Sequence, residues 1–260
     1  MTHPMPNGRH RATSATMGTV ASLRVDGTDP ATFAEAHRRL RGIFERWEDE
    51  FSLYRPSSPA TAIAEGRLRL LDSSSQHRDT YAQAVDWRNR TGGAFDPHRH
   101  DGTVDLAGIV KAMAIDEAGT ALAALGCANW CLNVGGDVLT SGSADGTPWS
   151  IGLVDPWDRT RLWRTIALDS KKRAVATSGS AERGAHIWRL PDGVPIRQCS
   201  VVAADIVTAD VLATAIIAGG RSLAETAAAE WDLVVAISFE DGEELHIAAD
   251  GFPGVAASRV

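Results

Sequence analysis

Cysteine, tyrosine and positive charge are all scarce in this 260-residue sequence. Its three cysteines, Cys127, Cys131 and Cys199, cannot all pair with one another. Cys127 and Cys131 have no second Cys/His pair at zinc-site spacing, so neither a disulfide framework nor a zinc site is expected to organise the chain. Reduced thiols in the core are the expectation. Lys and Arg total 26 against 33 Asp and Glu, a formal net charge of -7, with no basic stripe. That balance argues against a nucleic-acid surface. No run reads as long and apolar enough to span a bilayer, and residues 1 to 19 carry His3, Arg9, His10 and Arg11 without an apolar signal core. No membrane span and a cytoplasmic location are therefore expected. A nucleophile elbow, a Walker loop and a dinucleotide fingerprint are also missing, since Gly135-Gly136-Asp137 lacks the third glycine.

What is present suffices for a large core, at 44% hydrophobic residues. Residues 1 to 16 show no periodicity and read as a flexible N-terminal tail, with one compact unit over 17 to 260. Val20, Ser22 and Arg24 alternate with Ala21, Leu23 and Val25, which predicts a half-buried strand closed by Asp26-Gly27. From Pro30 the period becomes helical, with Phe33, Leu40, Ile43, Phe44, Trp47 and Phe51 on one stripe. Pro56 and Pro59 then enforce a loop that leaves Tyr54 at a rim. A short strand is expected over 67 to 71, and a helix through Tyr81, Val85 and Trp87, capped within 72 to 74, is expected to end at Gly92-Gly93. Later strands are expected over 130 to 134, 138 to 139, 149 to 154, 163 to 168, 174 to 176 (breaking at Thr177-Ser178-Gly179) and 200 to 203. A helix through Val211 and Ile216 should stop at Gly219-Gly220, and a hairpin should turn at Asp241-Gly242. Strands and helices are interspersed without strict alternation, so the fold class is α+β, with mixed sheets flanked by helices.

The stretch around which the rest is arranged runs from Val104 to Asp116. Asp105 can cap a helix, Gly108 permits close approach, Lys111 adds a charge, and Ile109, Val110, Met113 and Ala114 keep helical spacing. A helix start offers N–H groups and partial positive charge to an anion such as phosphate. Asp210 and Thr214, one turn apart, present a carboxylate and a hydroxyl on one face, oxygen ligands suited to magnesium; the bland reading is a cap and a self-bonded threonine. His186, after Arg183, has the proton affinity of a general acid or base near neutrality.

Taken in order, Met17-Gly18-Thr19, Phe51-Ser52-Leu53-Tyr54, Gly93-Ala94-Phe95-Asp96-Pro97, Val104 to Lys111, Asn133-Val134-Gly135-Gly136-Asp137, Ala176-Thr177-Ser178-Gly179, Glu182-Arg183 before His186-Ile187, and Ala209 to Ala215 resemble the motifs of the FAD:protein FMN transferase (ApbE) family. The resemblance implies an ApbE-like fold. It also implies magnesium-dependent transfer of FMN from FAD, as substrate, to a serine or threonine hydroxyl of an acceptor flavoprotein, with release of AMP. By the same resemblance Met17, Tyr54, Ala94, Phe95, Asp96, Asp105, Lys111 and Ile187 would contact FAD. Asp210 and Thr214 by side chain and Gly108 by its carbonyl would hold magnesium, and His186, with Lys111, would be catalytic. The chain departs from the family pattern in several places. Ala112 stands where glycine is usual, Ala64 where many members carry asparagine, and Trp188 to Gly193 replaces the usual Asp-Pro and Thr-Gly; the segment from Pro97 to Val104 is short. An FAD pyrophosphatase yielding FMN and AMP, or a non-catalytic FAD-binding protein, are the alternative readings.

Overall fold

In a computed structural model, residues 8–179, 194–248 and 256–257 are described. The predicted Arg183, His186 and Ile187, and the 188 to 193 segment, lie outside the described residues. The element order is β1 (Arg9–Thr16), β2 (Thr19–Asp26), α1 (Pro30–Phe51), α2 (Pro59–Ala64), a 3-10 turn (Leu70–Asp72), α3 (Ser75–Arg90), α4 (Ala107–Ala124), β3 (Asn129–Val134), β4 (Asp137–Ser141), β5 (Trp149–Val154), β6 (Leu162–Leu168), β7 (Ala174–Gly179), β8 (Ile196–Ala203), α5 (Ile206–Glu230), β9 (Val234–Phe239), β10 (Glu244–Ile247) and β11 (Ala256–Ala257). Eight strands form one sheet in the order β1-β2-β3-β4-β7-β8-β9-β10, every neighbouring pair antiparallel, and β11-β6-β5 form a second, three-stranded sheet.

Alternation places these sheets in layers. On β7, β8 and β9 the residues Ala176, Val201, Val235 and Ile237 pack among α1, α4 and α5, whereas Val175, Val202, Val234 and Ala236 face a second core with Trp149, Leu153, Trp163, Ile166 and Leu168 of the small sheet. Successive side chains point to opposite faces of a strand. With both faces covered, β9 is buried at every position and reads as a continuous apolar run instead of alternating.

The helices start where their caps dictate. Asp29 accepts the Ala31 and Thr32 N–H groups before Pro30, Ser74 caps α3 through His77 N–H, and Asp205 caps α5 through Thr208 N–H at 2.8 Å. The six apolar residues expected on α1 are all buried, each contributing roughly 1.5–3 kcal/mol. Gly126, at φ +75°, ends α4 with its N–H on Ala123 O and that of Cys127 on Leu122 O. On α3 the buried face is His77, Thr80, Ala84 and Trp87, so the expected stripe is rotated and Tyr81 and Val85 are only half-buried.

Several expectations are corrected. The supposed tail forms strand β1 from Arg9 to Thr16, because His10 and Ala12 turn inward while Arg11, Thr13 and Ala15 stay out, an alternation carried by too little apolar surface to show in the sequence. Residues 67 to 71 form no strand: Arg67 and Leu68 N–H groups both donate to Ala62 O, and the chain then enters the 3-10 turn. β7 continues through Thr177, Ser178 and Gly179, which pair with Ser200, Cys199 and Gln198. Helix α5 is long and apolar enough to cross a bilayer, contrary to the reading of the sequence. Most of its apolar residues are buried, packed against β7, β8 and α4, and Gly220, at φ +72°, kinks it at the expected stop. The terminal hairpin turns at Asp241-Gly242 as expected. Cys127 and Cys199 are buried free thiols, and desolvation pushes the half-buried Cys131 up to about 11.

Candidate active site

Two tight hairpin turns lie side by side at one end of the large sheet. Thr16 pairs with Thr19 and Val134 with Asp137, leaving two-residue turns at Met17-Gly18 and Gly135-Gly136. All four residues have positive φ, at 46°, 70°, 62° and 99°, as this tight turn geometry demands. Met17 is the exception among them, since a residue with a Cβ is strained there. Its N–H donates to Glu48 Oε2 at 3.3 Å, tying the turn to α1. Gly135 is sterically required: a Cβ would come within 2.8 Å of Thr19 Oγ1.

These turns form one wall of a cavity of about 950 Å3. A second wall is the loop after α1. Its Tyr54 is 89% exposed, and the loop is braced by Thr61 Oγ1 donating to Ser52 O at 3.0 Å and by Arg55 paired with Glu48 at 3.0 Å. The Gly93-to-His100 turn and the start of α4 make the third. There Phe95 is buried with its ring against Gly108, where an added Cβ would meet it at 2.9 Å. Close approach thus accounts for the glycine. Ala112 lies one turn further along α4, fully buried in the main core.

Met17, Tyr54, Ala94, Phe95, Asp96 and Asp105 all line this cavity, as do Gly108, Lys111 and Thr214. Asp210 sits behind Thr214 with no exposed surface. Ala64 is exposed at the end of α2 and is not part of the lining.

The acidic groups on the wall are held by cations. Asp105 precedes the α4 cap, Leu106, instead of capping the helix itself; its Oδ1 accepts the Ala107 N–H at 3.0 Å and its Oδ2 accepts Arg99 Nε and Nη2 at 2.9 and 2.7 Å. The Ile109 and Val110 N–H groups both donate to Leu106 O, so the first turn of α4 keeps fewer donors for an anion than the sequence suggested. Burial would raise the Asp96 carboxyl, but hydrogen bonds from Arg88 and His98 outweigh it and hold the group below the usual carboxylate range. Lys111 Nζ lies 2.5 Å from Asp137 Oδ2.

Three side chains that the sequence did not single out belong to this constellation, Glu48, Arg99 and His98, together with Asp137, which lay within a motif without a role. Only Asp137 carried a local signal, its place directly after paired glycines. The others are recognised by partners distant in sequence or by a turn whose shape the sequence does not give.

Among the described residues no group of three or more His, Cys, Asp and Glu side chains converges as a metal cage. The oxygen set at Asp210 and Thr214 does fit a hard cation. It combines a fully buried carboxylate with a hydroxyl on the cavity wall that meets Ser178 Oγ at 3.0 Å, one helical turn away.

No curated protein matches the chain. Among solved structures it is similar to the flavin transferase ApbE of Vibrio cholerae, at a TM-score of 0.77 and 20% identity over 95% of this chain and 99% of that one. It is also similar to the flavinyl transferase ApbE of Pseudomonas stutzeri in its apo form, at 0.76 and 17% over 95% and 98%, and to the ApbE protein of Thermotoga maritima, at 0.74 and 22% over 92% and 96%. These likenesses establish the fold. The sequence model of the ApbE family matches residues 98–237, more than half of the chain and the part that carries Asp105, Gly108, Lys111, Asp210 and Thr214, and the chain therefore belongs to the ApbE family.

Proposed function

We propose that the chain transfers FMN from FAD to a serine or threonine hydroxyl of an acceptor flavoprotein, with magnesium, releasing AMP. The observation that supports this most is the convergence of Met17, Tyr54, Phe95, Asp96, Asp105 and Lys111, drawn from separate stretches, on one cavity of about 950 Å3, a volume suited to a dinucleotide. Apolar surface at Met17, Ala94 and Phe95 and the exposed ring of Tyr54 suit flat aromatic rings.

Asp210 and Thr214 by side chain and Gly108 by its carbonyl would hold the magnesium. When bound, that ion neutralises pyrophosphate charge and orients it for in-line displacement. Lys111, held by Asp137, would present its remaining ammonium N–H donors to the phosphates. The acceptor oxygen bonds to the FMN phosphorus, the bond from that phosphorus to the AMP oxygen breaks, and the hydroxyl proton passes to a base. His186 is assigned that role through its motif and lies outside the described residues. His186→Ala is expected to slow transfer by roughly a hundredfold or more with FAD affinity almost unchanged.

The deciding experiment is mass spectrometry after incubation with FAD and magnesium, with and without flavoprotein acceptors from the same genome. An acceptor adduct with one AMP released per FMN supports the transferase. Free FMN and AMP without an adduct makes it a pyrophosphatase. Bound, intact FAD makes it a non-catalytic binder.

A further inference from the structure

Asp96, a carboxylate on the cavity wall, is anchored at both oxygens. Its Oδ1 accepts both the backbone N–H and the Nδ1 of His98, each at 2.9 Å, and its Oδ2 accepts Arg88 Nε at 2.9 Å. On the far side of the ring, His98 Nε2 meets the Tyr81 hydroxyl at 3.0 Å, and the two rings stand edge to face at 83° with centroids 5.7 Å apart. A carboxylate only accepts, so His98 Nδ1 carries the proton on that side. In that tautomer Nε2 is the acceptor and the Tyr81 O–H donates to it. Tyr81 and Arg88 both belong to α3, so one rigid helix anchors the carboxylate directly at one oxygen and through His98 at the other.

The second anchor matters because the terminal torsion of an aspartate is broad and a single hydrogen bond does not fix it. A carboxylate offers about four acceptor positions, of which three are taken here, leaving one. His98 itself also lines the cavity, and it falls in the segment after Pro97 that is shorter than is usual for the family.

We propose that His98 is a positioning residue for flavin recognition: held by Tyr81, it fixes the Asp96 carboxylate in one orientation with one acceptor position left for an N–H or O–H donor of the flavin substrate. The inference rests on the reading of this cavity as an FAD site. His98 acts through Asp96 and makes no contact with the reacting phosphorus.

FAD titration of the full chain, followed by flavin fluorescence, tests it with His98→Ala, His98→Asn, Tyr81→Phe, Asp96→Asn and the Asp96→Asn/His98→Ala double variant. His98→Ala should raise Kd about tenfold, the scale of one hydrogen bond to a charged group. His98→Asn, whose amide nitrogen stands in for Nδ1, should restore most of the affinity, and Tyr81→Phe should weaken binding by a smaller factor. The double variant should bind no more weakly than Asp96→Asn alone, because residues that act as a unit are not additive. Unchanged affinity in His98→Ala, effects that multiply in the double variant, or His98→Asn as weak as His98→Ala would each overturn the proposal; His98→Asn and Tyr81→Phe keep the test alive should His98→Ala fold poorly. If the wild-type chain binds FAD with this coupling but transfers no FMN, the transferase reading falls and this inference stands. If it does not bind FAD, both fall.

Discussion

Lys111 of α4 and Asp137 of β4 meet at 2.5 Å, joining the helix that starts at the cavity to the strand that leaves the paired-glycine turn. Asp137 has no exposed surface, and its Oδ1 also accepts the Thr177 N–H at 3.2 Å. Removing one partner of a buried pair costs roughly 3–5 kcal/mol. Lys111→Ala should therefore lower stability by about that much in urea unfolding, and Lys111→Ala/Asp137→Ala should cost less than the sum of the two single changes. At a temperature where Lys111→Ala is folded, calorimetry should show FAD binding weakened more than riboflavin binding, because only FAD carries the pyrophosphate. Equal losses would place Lys111 away from the phosphates.

Magnesium binding should depend on Asp210. In the wild-type chain with FAD present, magnesium should raise the melting temperature, since a ligand present at about a hundred times its Kd adds roughly 2.7 kcal/mol. Asp210→Asn should abolish this shift. A variant that still shows the full shift moves the metal elsewhere. Because Asp210 is fully buried, its replacement should also change the melting temperature without metal, so the comparison is of shifts and not of absolute values.

His77 is a pH-dependent element of the α1–α3 packing. It is almost fully buried, stacks on Phe51 at 4.7 Å and places Nδ1 3.1 Å from Glu50 Oε1. Burial lowers its affinity for a proton below the usual value of 6.5, and the nearby Glu50 offsets this only in part. The folded state thus prefers the neutral ring, and the unfolded chain takes up the proton first. This contribution to stability is complete above pH 6.5 and declines as pH falls below it toward the folded value. Urea midpoints measured from pH 7.5 to 5.5 should fall less steeply in His77→Gln than in the wild type. Parallel curves would rule His77 out as the source.

Gly135→Ala combines two penalties, a left-handed backbone and a methyl pressed on Thr19. The first alone costs about 1–2 kcal/mol. Thermal melts should show Gly135→Ala strongly destabilised and Gly135→Ala/Thr19→Ala partly recovered, the remainder being the backbone term. No recovery would mean that the contact is not limiting.

The parts of the fold legible in the sequence were those with a strong period or a sharp turn: α1 with its aromatic stripe from Pro30, α4 by the helical spacing of Ile109, Val110 and Ala114, and the terminal hairpin at Asp241-Gly242. Strand β1 was illegible because an edge strand of Arg, Thr, Ser and Ala buries little. The α3 face was misplaced because His77 and Thr80, polar residues, take the buried positions while Tyr81 turns toward His98. The short motifs fall on the loops that line the cavity, where glycines and carboxylates shape the backbone turns. What the motifs could not supply was pairing across space: Asp137 to Lys111, Glu48 to Met17, and Arg99 to Asp105.

The register of β2 against β3 has a consequence for synthesis. Leu23 pairs with Leu132, roughly a hundred residues later, so the β1–β2 hairpin and the aromatic face of α1 leave the ribosome well before the strand that completes their layer. At about 5–20 residues per second that interval is on the order of 5–20 s. For most of it α1 has only the β1–β2 hairpin, where Phe33 stacks on His10, while Phe44, Trp47 and Phe51 await α4 and the rest of the sheet, a span in which exposed apolar surface favours aggregation.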